Sequence, residues 1–458
     1  MRIGYSRKQS DYICTALFMF TMKKNSYYII VPILFFTSQL YALPRFALLR
    51  GEGNCLGCHV NPTGGQIRSP GGESYAINDL AMWKRGDSNS FTGAIARGLR
   101  IGGDFRSQAL YFANKSPLYN SVQSDSASQG KLIKRGDTTV HITSFQSMSL
   151  ALELDIKATN TLRGFFRYDP LNTITPSEGW AMLQFIHSSG EIFQSGDVVT
   201  NAYIKLGAFL PAFGIRFDDH TVYVKGGDGS LSGFSRAGFF WSPGYRDVGA
   251  EIGTLLFDHI GIVAGIFNGS ESFPNGQPPN FATDPSNNKA ICFRINSSGE
   301  IIEDILSGEI GFSHYQHNHT NNGVAANLTL NAIHFSLRAG PLTVLNEYDF
   351  GNNILPSGSD GQTVAKAEGF CSESALRITK GIDAIFRYEF FKDEDPIGVT
   401  ITQVKSRIMI GAQWFPLRFL EIRPEYRIAV GSTPNINDSS IRDDFSENTL
   451  LIQTHLFF

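Results

Sequence analysis

The sequence predicts an all-β protein, a transmembrane antiparallel β-barrel of about 16 strands that follows a short N-terminal segment. Three observations carry this prediction. Apolar and polar residues alternate with period two from about residue 99 to 458, the polar faces carry opposite charges, and an alternating stretch ends the chain on an aromatic residue. About 360 residues, at roughly 22 for each strand with its connection, give the strand number.

The alternation is clearest in four stretches. Their polar faces carry Ser149, Glu153, Asp155 and Lys157, then Arg163, Arg167 and Asp169, then Asp383, Arg387 and Glu389, and finally Glu421, Arg423, Glu425 and Arg427. The opposite faces are rich in Leu, Ile, Phe and Tyr, and Met148 falls on an apolar face. A periplasmic β-sandwich would also alternate. Aromatic-rich faces and paired charges favour the barrel, because the first suit lipid and the second suit a wet lumen.

The last strand and the longer connections agree with a barrel. Phe458 shares a face with Leu450, Ile452 and Leu456, and an aromatic end on such a strand is common in outer-membrane barrels. Stretches rich in Gly, Asn, Ser and Pro are predicted as outer loops at 116–130, 268–288, 351–362 and 431–448. The formal net charge of −3 gives no sign of a nucleic-acid partner, whereas outer-membrane lipid is an expected one.

The N-terminus is predicted to be an export signal over residues 1–42. After Met22, which is the expected true start, two lysines precede the apolar stretch 29–36, and Ala42 ends a plausible cleavage site. An uncleaved anchor is the alternative. In either case the chain leaves the cytoplasm.

Residues 43–95 are predicted to form a segment that carries one covalent haem c, with the barrel over 96–458. Cys55, Cys58 and His59 form the pattern C-x-x-C-H, in which two thiols attach the haem and the histidine is the axial iron ligand. The alternatives are a redox C-x-x-C pair and half of a zinc site. A redox pair would need a βαβ context, and a zinc site would need a second Cys/His pair nearby.

The sixth iron ligand is less defined by the sequence. Met82 is a candidate, because a methionine there would complete a His/Met cytochrome, but it could also pack an apolar helix face. If the haem segment lies in the barrel, a sixth ligand could instead come from the wall, where Met409 and His334 are predicted to face the lumen and Met148 to face lipid.

Two further groups of residues are candidate sites. His314, His317 and His319 lie close together and could hold a transition metal, or could belong to a solvated loop. Cys292 and Cys371 could pair in an oxidising compartment, but their spacing does not predict it.

With an export signal, one haem motif and a barrel in order, the chain resembles the fused monohaem cytochrome–porins of bacterial outer membranes, whose best-known members oxidise iron. The family's mature chain opens on a pattern like A-x-P-x-F-A-R-Q-T-G-x-x-C-x-x-C-H. The matching residues here are Ala42, Pro44, Phe46, Ala47, Gly51, Cys55, Cys58 and His59. Two leucines stand before Arg50, and Cys55 falls one residue late. The following Val60-Asn61-Pro62-Thr63-Gly64-Gly65 looks more like a group of monohaem outer-membrane proteins.

The resemblance implies an outer-membrane protein of a Gram-negative bacterium that transfers electrons, an iron:cytochrome oxidoreductase. The haem segment would be periplasmic or inside the barrel. Extracellular iron, or another redox donor or acceptor, would be the outer partner, and a soluble periplasmic cytochrome the inner one. The alternative is a solute or ion porin in which the haem segment is a plug, a sensor or a structural element. A haem peroxidase would need distal acid and base groups, for which the sequence shows no motif.

Overall fold

The described part of the chain is mostly β-strand. The computed structural model describes residues 45–46, 58–83, 92–121, 132–170, 177–186, 200–217, 222–225, 246–256, 260–269, 288–302, 305–321, 324–357, 363–394, 404–434 and 442–458, all within one unit, Ser38–Phe458. The predicted signal 1–42 and Cys55 lie outside these residues.

Seventeen strands run in chain order. They are β1 Ala94–Ala96, β2 Leu99–Ser121, β3 Leu132–Lys157, β4 Leu162–Tyr168, β5 Glu178–Ile186, β6 Thr200–Phe209, β7 Asp247–Leu256, β8 Ile260–Phe267, β9 Ala290–Ile302, β10 Leu306–Asn321, β11 Val324–Ala339, β12 Leu342–Ser357, β13 Thr363–Thr379, β14 Ile382–Glu394, β15 Val404–Leu417, β16 Leu420–Pro434 and β17 Arg442–Phe457. The short strand β1 pairs with β2.

Strands β2 to β17 form a closed antiparallel barrel. Each strand pairs with the next along the chain, and β17 pairs with β2, for example Leu451 with Leu110. The barrel therefore has sixteen strands, which confirms the predicted fold class and strand number. Closure leaves no unpaired sheet edge among these strands, as a sheet that spans lipid requires.

The side chains of the strands sort by face as the alternation predicts. On β16, Arg423 and Glu425 point into the lumen and are 4% and 3% exposed, whereas Tyr426 on the outer face is 44% exposed. On β17, Leu450 and Ile452 point outward and are about half exposed. An apolar outer surface around a charged lumen is the arrangement of a transmembrane barrel, because the outer face contacts lipid.

The two ends of the barrel differ in their connections. At one end two residues join β11 to β12, β13 to β14 and β15 to β16, and this end also holds the start of β2 and the end of β17. The four stretches predicted as outer loops lie at the opposite end, but β2, β12, β16 and β17 extend into three of them, so the predicted loop bounds there were too wide. In outer-membrane barrels the short turns are periplasmic and the longer loops extracellular.

The prediction that Met148 faces lipid is wrong. Arg106 pairs with Ser149 and Ser107 with Ser147, so Met148 is an extra residue in β3. This β-bulge interrupts the alternation and turns Met148 inward, where it is 1% exposed. Its sulfur lies 3.5 Å from Nε2 of Gln453.

A segment between β6 and β7 folds into the lumen. Residues 210–217 and 222–225 carry buried apolar side chains, and Tyr223–Lys225 form a short 3-10 helix. The N–H of Gly214 donates to Ser313 Oγ (2.9 Å), and the N–H of Tyr223 donates to Glu389 Oε1 (2.8 Å). This lumen segment therefore reaches from β6 to β10 and β14 across the barrel.

The only helices outside the lumen segment, in the part of the chain described, precede the barrel. Helix α1 (Pro70–Tyr75) begins after Ser69, whose Oγ accepts the N–H of Gly72 at 3.2 Å, and Pro70 fits its first turn. A π-helical turn, Ala76–Leu80, continues it. No helix among the described residues has the length and apolar character to cross a membrane.

Candidate functional site

Residues 58–83, the plug segment, pack against the inner wall of the barrel. Val60 and Asn61 are 0% and 1% exposed, and Asn61 Oδ1 lies 3.5 Å from Lys205 Nζ on β6. Ile67 packs against Gly102 on β2, where a Cβ would come within 2.7 Å of its side chain. The plug segment therefore occupies lumen volume that would otherwise be open to water.

Polar contacts anchor the plug segment at the end with the short turns. Arg418, in the β15–β16 turn, donates from Nη1 to Glu73 Oε2 at 2.8 Å. Its carbonyl accepts from Arg68 Nη1 at 2.6 Å, and the Arg68 guanidinium lies 4.4 Å from the ring centre of Phe457. Burial lowers the pKa of Arg68, and the Glu73 carboxylate partly offsets this. These contacts hold a partly buried cation at the short-turn end.

The tip of the plug segment is a tight turn that contacts the lumen segment. Gly64 and Gly65 have φ values of +87° and +74°, which glycine adopts at little cost. The Gly64 carbonyl accepts from Arg216 Nη1 at 2.6 Å. A Cβ on Gly65 would lie 2.8 Å from the same guanidinium. The two segments that fill the lumen are thus joined through Arg216.

His59 lies in the plug segment with its ring oriented by the backbone. Its Nδ1 is 3.3 Å from the carbonyl oxygen of Gln66. A histidine that ligates a metal through one nitrogen usually donates its other N–H to such an acceptor. The local structure at His59 therefore fits an axial ligand of haem iron that binds through Nε2.

Cys58 is held against helix α1. Its carbonyl accepts the N–H of Ser69 at 2.9 Å, and a Cβ added to Gly72 would lie only 2.1 Å from that oxygen. The absence of a side chain at Gly72 thus permits the helix to contact the attachment motif. Cys55, the other predicted attachment residue, is outside the described residues, and thioether formation stays a prediction.

The three candidate sixth ligands have defined surroundings. Met82 donates its N–H to Phe415 O at 2.8 Å, at the short-turn end. His334 and Met409 are buried and face the lumen, as predicted. His334 Nε2 lies 3.0 Å from Glu309 Oε1, so this nitrogen is engaged in a hydrogen-bond contact with the wall. The role of Met82 as sixth ligand remains a prediction.

His314 and His317 lie on opposite faces of β10, and the side chain of His319 is outside the described residues. His314 is on the outer face of β10, 2.9 Å from Asn331 Oδ1, whereas His317 points inward and is 2% exposed. Among the described residues no three His, Cys, Asp or Glu side chains cluster as metal ligands. Cys292 and Cys371 are buried free thiols.

The inner wall carries matched charges. Ion pairs join Arg167 to Glu153 (2.7 Å), Arg246 to Glu178 (2.7 Å), Lys205 to Glu251 (2.7 Å) and Arg294 to Glu309 (3.5 Å). In each of these pairs a cation faces a carboxylate. The wall is therefore strongly polar but carries both positive and negative charges. Of these residues, sequence alternation had assigned only Glu153 and Arg167 to a polar face, and the pairing of all of them depends on strand register.

Comparison with known proteins finds likeness in structure alone. No protein-family model and no curated protein sequence matches the chain. Similar solved structures include the outer membrane channel DcaP of Acinetobacter baumannii, with 10% identity over 79% of this chain and 98% of that chain and a TM-score of 0.49. OprB of Pseudomonas putida has 10% identity over 83% and 100%, with a TM-score of 0.47. An anion-selective porin from Comamonas acidovorans has 11% identity over 79% and 99%, with a TM-score of 0.45.

The architecture of the barrel shows what kind of protein the fold resembles. Sixteen closed antiparallel strands, an apolar outer face and a charged inner wall are the architecture of a porin-like outer-membrane barrel.

Proposed function

We propose that the protein is an outer-membrane porin for small solutes or ions, whose lumen is closed by the plug segment. The observation that carries this proposal is the charged inner wall, which is suited to water and to hydrophilic solutes. The Glu73–Arg418 ion pair and the contacts of Asn61 and Gly64 with the wall and the lumen segment hold the plug segment in place. Passage then depends on how often the plug segment leaves these partners.

Arg418→Ala is expected to increase conductance in planar lipid bilayers. The change leaves the Glu73 carboxylate without its cation, which weakens docking of the plug segment by about 1–3 kcal/mol and raises the open fraction about 5- to 150-fold. Wild-type protein should show rare openings. Arg163→Ala is the matched control, because Arg163 pairs with Asp155 (3.0 Å) at the same end of the barrel wall. Equal conductance in all three proteins would contradict closure by the plug segment.

A second function is favoured by a different observation, the contact of His59 Nδ1 with Gln66 O in a C-x-x-C-H motif. We propose that Cys55 and Cys58 attach haem c, that His59 binds its iron, and that the protein transfers electrons across the outer membrane. The haem would supply a one-electron Fe(II)/Fe(III) couple. Extracellular iron would be the outer partner and a periplasmic cytochrome the inner one. The barrel wall would hold the attachment motif and limit access to it.

Loss of both attachment thiols is expected to abolish covalent haem. In the C55S/C58S double variant no thioether can form, so no haem should remain with the chain in a denaturing gel. Wild-type protein should retain haem and show c-type absorption bands that Fe(II) reduces. Cys292→Ser serves as the control, since Cys292 is a buried thiol of the barrel wall. Wild-type protein without covalent haem, when expressed with a cytochrome c maturation system, would reject the electron-transfer proposal and leave the porin proposal standing.

A further inference from the structure

We propose that Gln66 is a positioning residue, fixed by Glu178 of the barrel wall, that orients the His59 imidazole for iron. The inference rests on the haem-carrying function proposed above. Through the Gln66 side chain, the barrel wall would influence the reduction potential of the haem. Gln66 is not part of the C-x-x-C-H pattern.

The backbone of Gln66 is unusual. Its φ of +67° makes it the one non-glycine residue with positive φ among those the structure describes. A residue with a Cβ rarely adopts this conformation, because the Cβ approaches the neighbouring carbonyl. Gly64 and Gly65 precede it in the same left-handed region, so a third glycine would complete the turn without strain. The side chain at position 66 must therefore contribute something that glycine lacks.

The side chain of Gln66 is anchored to the wall. Its Nε2 donates to Glu178 Oε1, on β5. The same oxygen accepts from Trp180 Nε1 at 3.1 Å, and the other oxygen accepts from Arg246 Nε at 2.7 Å. Glu178 is 2% exposed, so these donors hold the carboxylate in one position. Strained conformations persist where surrounding contacts of this kind over-determine them.

The anchored conformation places a carbonyl at the ligand histidine. Gln66 O is the acceptor 3.3 Å from His59 Nδ1. An acceptor at this nitrogen fixes the ring and makes the imidazole a more basic ligand. A more basic ligand favours Fe(III) over Fe(II), and so it lowers the reduction potential. Glu178 thus acts on the iron through Gln66 and His59.

Comparison of Gln66→Ala with Gln66→Gly tests the inference. Alanine keeps the Cβ and loses the anchor, so the backbone should leave the left-handed region and withdraw its carbonyl from His59. Glycine also loses the anchor but adopts the left-handed region freely, so the carbonyl should stay. The measurement is the midpoint potential of the purified full-length protein, by absorption in a redox titration. Gln108→Ala is the control, since Gln108 is a wall glutamine that bonds Gln146 at 2.7 Å.

The expected result is a higher potential in Q66A alone. The shift should correspond to about a tenfold change in the reduction equilibrium, about 59 mV for one electron. Q66G and Q108A should remain at the wild-type value. A purely structural role for Gln66 predicts that Q66G is perturbed at least as much as Q66A. Equal shifts, or no shift, with haem attached would overturn this inference alone, whereas wild-type protein without covalent haem would overturn the electron-transfer proposal as well.

Discussion

Lys205→Met is expected to destabilise the barrel by about 3–5 kcal/mol, because it leaves a carboxylate buried without its cation. Lys205 Nζ lies 2.7 Å from Glu251 Oε1, and the two side chains are 0% and 1% exposed. The ammonium group also lies 4.1 Å from the ring centre of Phe209. After the substitution, the hydroxyl of Tyr203, at 2.9 Å, would be the remaining donor to Glu251 among the contacts described. The free energy of unfolding, measured in urea for the protein in detergent micelles or lipid vesicles, checks this expectation.

Two matched variants separate the charge effect from loss of packing. K205M/E251Q removes both charges, so it should regain most of the stability lost in K205M. Lys392→Met removes a cation 3.9 Å from Glu368, in a pair whose side chains are about one-third exposed. That loss should not exceed about 1 kcal/mol, since exposed ion pairs contribute little. If K205M/E251Q is as unstable as K205M, loss of packing explains the destabilisation and loss of the ion pair does not.

Gly72→Ala is expected to separate helix α1 from the attachment motif. The new Cβ would lie 2.1 Å from the Cys58 carbonyl oxygen, which is backbone and cannot rotate away. The hydrogen bond from the Ser69 N–H to that oxygen should therefore break. Overpacking of this kind costs about 3 kcal/mol, which raises the undocked fraction of the plug segment about a hundredfold.

Trypsin cleavage after Arg68 reports the undocking. Arg68 is partly buried in the docked state, and its guanidinium donates to the Arg418 carbonyl, so detergent-solubilised wild-type protein should resist cleavage there, and G72A should be cut. Gly164→Ala is the control, because the nearest atom to its new Cβ is 3.9 Å away. Protection of Arg68 in G72A would show that the segment absorbs the added methyl group without moving.

The barrel could be predicted because the alternation of inward and outward side chains along a strand depends only on residues adjacent in sequence. Alternation at Glu421, Arg423, Glu425 and Arg427 assigns a lumen face without knowledge of any partner strand. Met148 shows the limit of this reasoning. A single extra residue opposite Arg106 and Ser107 reverses the face, and only the register between β2 and β3 reveals it.

The interior of the lumen was harder to predict. The run from Phe209 to Phe213 is apolar without alternation, and this was the available signal that the chain leaves the wall after β6. The sequence also singled out His59 from its spacing to the cysteines. It did not single out Gln66, although two glycines immediately before it marked a left-handed turn. Contacts such as Glu73–Arg418, 345 residues apart, follow only from the closed barrel.

Before β1, described residues on both sides of the plug segment's tip contact the β15–β16 hairpin. The rings of Phe46 and Phe415 make an edge-to-face contact with centres 5.8 Å apart, and Met82 donates its N–H to the carbonyl of Phe415. Trp83 packs against Trp414 beside it, with ring centres 6.0 Å apart. Phe46, Met82 and Trp83 therefore lie at the same mouth of the barrel. The sheet can close first, and the plug segment can enter it afterwards from the short-turn side.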